Sequence, residues 1–183
     1  MKRLLAVLVC MMLALGCALA GAEGAQKEDY TVVTVNGAFN IRGITPEGYT
    51  MSSVEIDDPT MIVWFTPDDP AKPSLILIIS FLEEYAGVER LNDLNDQEMM
   101  SLVEKDPDVS EDIQIMETDY GTKVMILRAR NPQDDFASFV TLYKGYEVGL
   151  NLFPGAASDG TLTDEQISRA MKFLSDLDFV PIE

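Results

Sequence analysis

The chain has 183 residues, carries 13 Lys and Arg against 31 Asp and Glu, and contains no histidine. So acidic a surface repels phosphate backbones and anionic headgroups, and no stretch gathers Lys or Arg with aromatics, which argues against nucleic acid as a partner and against electrostatic membrane adhesion. Without imidazole there is no Ser-His-Asp or Cys-His nucleophile and no histidine ligand for zinc, copper or haem.

The first residues run from a basic Lys2-Arg3 tip through an apolar stretch, Leu4 to Leu15, into a series of small residues. This is the three-part layout of a secretory signal peptide over residues 1–20, with cleavage expected after Ala18-Leu19-Ala20 and further sites at Ala22 and Ala25. A second reading of the same segment takes Cys17, after Ala14-Leu15-Gly16, as a bacterial lipobox cysteine that would anchor the chain to a lipid. Left uncut, the uncharged run from Leu4 to Ala22 would just reach across a bilayer; once it is removed, no transmembrane segment is expected. Both cysteines, Cys10 and Cys17, fall inside this segment, so a mature secreted chain has no disulfide and must fold on its hydrophobic core. Loss of Lys2 and Arg3 leaves 11 basic residues against 31 acidic ones, a net charge of −20.

A polar linker, residues 21–29, leads into a single domain over residues 30–183. "YTVVTVN", residues 30–36, alternates as a strand does and stops at Gly37; residues 39–41 start another. "TPEGY" places Pro46 second and Gly48 fourth in a type I turn. Strands are expected over residues 50–56 and 61–65. In "LILII", residues 75–79, alternation disappears, which predicts a central strand covered on both faces, with two helices available to cover it.

The first of those helices is "NDQEMMSLVEK", with Asn95 as N-cap and Glu98 three residues on. The second is "TDEQISRAMKFLSDL", capped by Thr163 with Gln166 and striped by Ile167, Ala170, Met171, Leu174 and Leu177. Between them lie four strand-like runs, residues 113–118, 122–130, 136–143 and 146–153, with two-residue turn signals at Tyr120-Gly121 and Lys144-Gly145. Turns this short force antiparallel neighbours. The fold class is therefore α+β, a single domain with a largely antiparallel β-sheet and helices packed on it.

The opening strand with "FNI", the Pro-x-Gly-aromatic turn at Pro46 to Tyr49, the acid-capped helix, the Gly-turned meander from "TDYGTKVMILRAR" to "YKGYEVGLNLF" and the final helix ending "LSDLDF" together resemble the PsbP-like superfamily. The resemblance spans nearly the whole mature chain and rests on element order and turn placement. It implies a PsbP-like α/β sandwich, in a superfamily that includes extrinsic photosystem II subunits, a Ran-binding nuclear factor and exported bacterial proteins. Members with known roles mostly dock onto proteins. It carries no catalytic residue over to this chain.

"DPDVSED" poses a sharper question, because Asp106, Asp108, Ser110, Asp112 and Glu117 stand where a helix–loop–helix calcium loop has its ligands. Against that reading, the sixth place is Glu111 where the loop needs Gly, and the second half alternates like a strand. A helix-to-strand connection stopped by Pro107 is the competing explanation. Calcium is thus the one cofactor the pattern admits, in an irregular and low-affinity site. "DGTLTDEQ", residues 159–166, imitates the tail of such a loop, but its residues also make a turn followed by the Thr163 cap.

Glu83-Glu84, following the expected central strand, is the least arbitrary carboxylate pair for hydrolysis, although adjacent residues on a strand point apart. Three tyrosines near hairpin ends, Tyr120, Tyr143 and Tyr146, are candidates for a binding face. The sequence favours an exported, extracytoplasmic, non-enzymatic domain that docks onto a protein or other cell-envelope component. An extracellular calcium-binding module and a carboxylate-based hydrolase are the two alternatives.

Overall fold

The computed structural model describes residues 31–182 apart from 58, 104–111, 119–120 and 131–134. Apolar alternation makes the first strands, and glycine turns join them. β1 (Thr31–Val35) and β2 (Phe39–Gly43) form a hairpin in which Asn36 and Gly37 both take positive φ, +44° and +72°. The next turn lies one residue later than its sequence suggests. Tyr49 N donates to Pro46 O (3.1 Å), so Gly48 is third of four, where its φ of +80° is the one a type II turn demands.

β3 (Tyr49–Asp57), β4 (Thr60–Pro67) and β5 (Ser74–Phe81) then run as an antiparallel meander. A second meander, β6 (Asp112–Glu117), β7 (Lys123–Arg130), β8 (Asp135–Tyr143) and β9 (Tyr146–Phe153), joins the first through the antiparallel β5–β9 pair. The result is a seven-stranded sheet in the order β3-β4-β5-β9-β8-β7-β6. β9 is therefore the central strand, and β5 lies beside it.

Both predicted helices form with their predicted caps. In α1 (Asp96–Val103) the Asn95 side chain accepts from Gln97 N and Glu98 N, while Glu98 accepts from Asn95 N. In α2 (Asp164–Ser175) Thr163 and Gln166 make the same reciprocal pair. α2 buries Ala170, Phe173 and Leu174 against one face of the sheet. A short strand that the sequence pattern does not announce, β10 (Asp178–Pro181), returns from α2 to pair with β2, completing a separate three-stranded sheet β1-β2-β10.

That small sheet and α2 cover the first face of the large sheet together. Val33, Phe39 and Ile41 from one side, and Val63, Leu77, Ile79, Phe139, Val148 and Leu150 from the other, are part of one continuous buried cluster. A cavity of about 10 Å³ remains between them, lined by Val33, Ile41, Phe65, Leu77 and Phe173; it is apolar and hardly larger than a water molecule.

The second face is covered differently. After β5 the chain makes two one-turn 3-10 helices, Glu83–Tyr85 and Leu91–Asp93, then α1. Asn92 pins this segment to the β6–β7 hairpin by donating to Gly121 O (2.7 Å) and accepting from Lys123 N (2.9 Å). Leu91, Leu94 and Met99 are thereby buried on Met125, Leu127, Val140 and Leu142 of β7 and β8. Among the described residues that cover thins toward β4, where Trp64 is exposed, although Ile76 of β5 is still buried. The expectation that two helices sandwich the Leu75–Ile79 run is corrected: α1 sits over β7 and β8, and no described helix covers the second face of β5.

Candidate functional site

The second face is built by register, one row of side chains after another, running from β3 across to the covered β8. Ser53, Trp64, Ile76, Asn151 and Ser138 form the first row; Glu55, Ile62, Ile78, Gly149 and Val140 the second; Asp57, Thr60, Ser80, Glu147 and Leu142 the third. β4 and β5 are apolar on both faces, so once one face is packed the other carries Ile62, Trp64, Ile76 and Ile78, of which Trp64 is exposed, Ile62 and Ile78 are half-buried and Ile76 is buried. Trp64 remains 36% exposed and Phe153, at the end of β9, 37%. Phe153 stacks on Phe136 with ring centroids 6.0 Å apart.

The three strands β4, β5 and β9 span about 14 Å across and, over six residues, about 20 Å along, a patch of order 300 Å². Area alone does not distinguish it, since ordinary monomers carry patches of about 300–600 Å². Its polar end does. Glu147 stands on a strand whose outward row is otherwise Gly149, Asn151 and Phe153, and its Oε1 lies 3.8 Å from where a Gly149 Cβ would be. The carboxylate therefore lies along the sheet over the glycine instead of standing up into water. No hydrogen bond or ion pair meets it among the described residues, and burial alone pushes its carboxyl above the ordinary 4.5. Thr60 and Ser80, next in the same row, hydrogen-bond each other at 2.9 Å.

This carboxylate gives a stability prediction with a definite sign. A carboxyl whose folded pKa is raised binds protons more readily folded than unfolded, so its favourable contribution is complete below 4.5 and is lost as pH rises through the folded value. Glu147→Gln removes the charge without changing the shape. At pH 7 its thermal midpoint is expected to exceed the parent's by roughly 2–4 °C, the size of about 1 kcal/mol in a domain of this length, and the gap should close below about pH 4.5. A variant that is equal or less stable at pH 7 would show that the carboxylate is solvated after all.

The sequence-predicted residues lie elsewhere. Tyr143 packs edge-on against Phe39 (4.9 Å) and stacks on Phe179 (4.7 Å), and Tyr146 meets Phe39 (5.2 Å) and Phe81 (5.1 Å). Their rings knit the small sheet to the large one on the covered face. Tyr120 lies outside the described residues. Of the calcium candidates, Asp106, Asp108 and Ser110 also lie outside them, while Asp112 and Glu117 end an extended β6, about 16 Å apart along the backbone. Among the described residues no group of three or more metal-ligating side chains comes together. Asp159 accepts from Thr161 N (3.1 Å) and Thr161 Oγ1 (2.7 Å), the turn that competes with a calcium loop there. Glu83 and Glu84 are exposed on a single 3-10 turn.

The fold resembles PsbP. The solution structure of cyanobacterial PsbP from Synechocystis sp. PCC 6803 is similar over 87% of this chain and 98% of that one, at 17% identity and a TM-score of 0.47. No family model and no curated protein matches the sequence. Among the described residues no helix is long and apolar enough to cross a membrane.

The residues that sequence reasoning passed over are Trp64, Ile62, Ile78, Phe153 and Glu147. One signal was present: "MIVWF" has apolar side chains at both parities, which requires cover on both faces or leaves one open. Which of these would hold depended on the path of the chain after β5.

Proposed function

We propose that this chain is an exported, non-enzymatic docking module that engages a protein of the cell envelope through the open half of its large sheet. The observation that supports this reading is the unequal cover of the two faces among the described residues: one is closed by α2 and the small sheet, the other over β7 and β8, with Trp64 and Phe153 exposed and Ile62 and Ile78 half-buried. An exposed tryptophan within an aliphatic surface is the side chain most often found at the energetic centre of interfaces. Export rests on the signal-like first 20 residues, and tethering through Cys17 is the alternative to release.

A photoreactive amino acid placed at Trp64 and, separately, at Arg169 on the exposed side of α2 tests the assignment in intact cells. Adducts to an envelope protein are expected from position 64 and not from 169. The double substitution Trp64→Ala, Phe153→Ala should cut the envelope-associated fraction about tenfold, because truncating central aromatic anchors costs about 2 kcal/mol or more of binding. Its unfolding midpoint should move little, since both side chains are already more than one third exposed. Equal labelling from both positions, or an unchanged associated fraction, removes the open face from the function.

A further inference from the structure

The buried end of this face specifies the chemistry of what covers it, an inference that rests on the docking reading above. We infer that the partner presents aliphatic side chains around one Lys or Arg, and that this cation is received in the notch at Gly149 by the Glu147 carboxylate. Gly149 is the only residue of its row without a side chain, and it lies between Ile78 of β5 and Val140 of β8, at the border of the covered and open halves. Glu147 lies across this gap. A carboxylate half-withdrawn from water with no donor or cation on it among the described residues is costly to the free protein, and that cost is recovered when a partner supplies the missing charge. The Thr60 and Ser80 hydroxyls, hydrogen-bonded to each other beside it, keep lone pairs for a second or third N–H of the same ammonium or guanidinium.

Trp64 is about 16 Å from Glu147 by strand geometry, two strands across and four residues along. One partner surface can therefore fill both, with an apolar ridge along β4 and β5 and the cation at the β9 end. The patch is well under the roughly 800 Å² per side of a stable complex, so the expected affinity is micromolar. A second copy of this chain fits poorly. It would bring another net charge of −18 and a second Glu147 to the same face.

A phage-displayed library of random dodecapeptides, panned on the purified protein, reads this out while the natural partner is still unidentified. Enriched peptides are expected to carry Lys or Arg among Leu, Ile or Val, and to bind Glu147→Gln at least tenfold more weakly while binding Glu165→Gln as they bind the parent. Replacing the peptide's Lys by norleucine should weaken binding to the parent by the same factor and to Glu147→Gln hardly at all. Peptides that lose affinity on Trp64→Ala but not on Glu147→Gln would overturn the cation site and leave the docking face standing. Peptides indifferent to both substitutions, or no enrichment, would overturn both. A dimer in sedimentation that Trp64→Ala dissolves would overturn the inferred partner by making the face a self-association surface.

Discussion

Asp135→Ala is expected to lower the unfolding midpoint by roughly 6–12 °C, corresponding to about 3 kcal/mol in a domain of this size. Asp135 begins β8 and is buried; its Oδ2 accepts from Leu162 N (2.9 Å) and from Arg128 Nη2 (3.3 Å). The same Arg128 Nη2 donates to Leu162 O at 2.7 Å, and its Nη1 reaches Asp164 at the start of α2 (3.3 Å). One carboxylate and one guanidinium thus tie the β7–β8 hairpin to the segment that aims α2 across the sheet. The two side chains are 11% and 15% exposed, so removing the acid takes a buried counter-charge away from the guanidinium and leaves the buried Leu162 N–H without the Asp135 acceptor. Asp164, almost fully exposed, offsets part of the loss. Asp135→Asn keeps an oxygen acceptor and should lose less than half as much. Thermal and urea unfolding of the three proteins settles the matter, and a drop below about 2 °C for alanine would show that the network contributes little.

The second large effect is expected at Gly145. Lys144 and Gly145 make the β8–β9 turn with φ of +51° and +80°, and the turn is stitched to the chain that crosses the second face. Lys144 N and Gly145 N donate to Glu89 O and Val88 O (2.9 Å each), and Leu82 N donates to Gly145 O (3.0 Å). A Cβ at 145 would stand 2.9 Å from Ala86 Cα and 3.0 Å from Tyr85 O, both backbone atoms that cannot swing aside. Gly145→Ala therefore combines a left-handed conformation with displacement of residues 85–88, and about 3 kcal/mol, or roughly 6–12 °C, is expected. Gly37 supplies the control: its φ is +72° but nothing lies within 4 Å of its would-be Cβ, so Gly37→Ala should cost only about 1 kcal/mol. Amide exchange at Gly145 and Leu82 should accelerate in the first variant and not in the second. Equal losses at 37 and 145 would mean that the crossing segment yields without cost.

Both positions matter to the proposed docking surface because they set how far each face is covered. Asp135 directs α2 over the first face. Gly145 holds down the crossing segment that closes the second face over β7 and β8 and stops short of β5. The site is the remainder left by these two decisions.

Features that depend on neighbours along the chain were legible in the sequence. Alternation and β-branching placed nine strands to within about two residues. Asn95 and Thr163 started both helices because a cap is a contact of two or three residues. Lys144-Gly145 made the predicted hairpin because its φ requirement is local. Even near neighbours were misjudged where the pattern fits two frames, as at Pro46 to Tyr49, where only the hydrogen bond decides which residue opens the turn.

Which surfaces meet was settled by tertiary packing. β10 is four residues long and holds a proline, and it becomes a strand only because β2, far back in the chain, offers an edge. Tyr143 and Tyr146 admit both a binding face and a structural role in sequence, and the small sheet folds over them and packs their rings against Phe39. The uniform run in β5 predicted burial on both faces, and Leu75, Ile76, Leu77 and Ile79 are buried, but the helix expected over its second face lies elsewhere, because residues 82–103 travel to β7 and β8. Glu147 reads as one more polar residue in an alternating strand. Only the pairing that places it beside Ser80 and over Gly149 makes it a carboxylate without a partner among the described residues, because burial and register are properties of distant segments brought together.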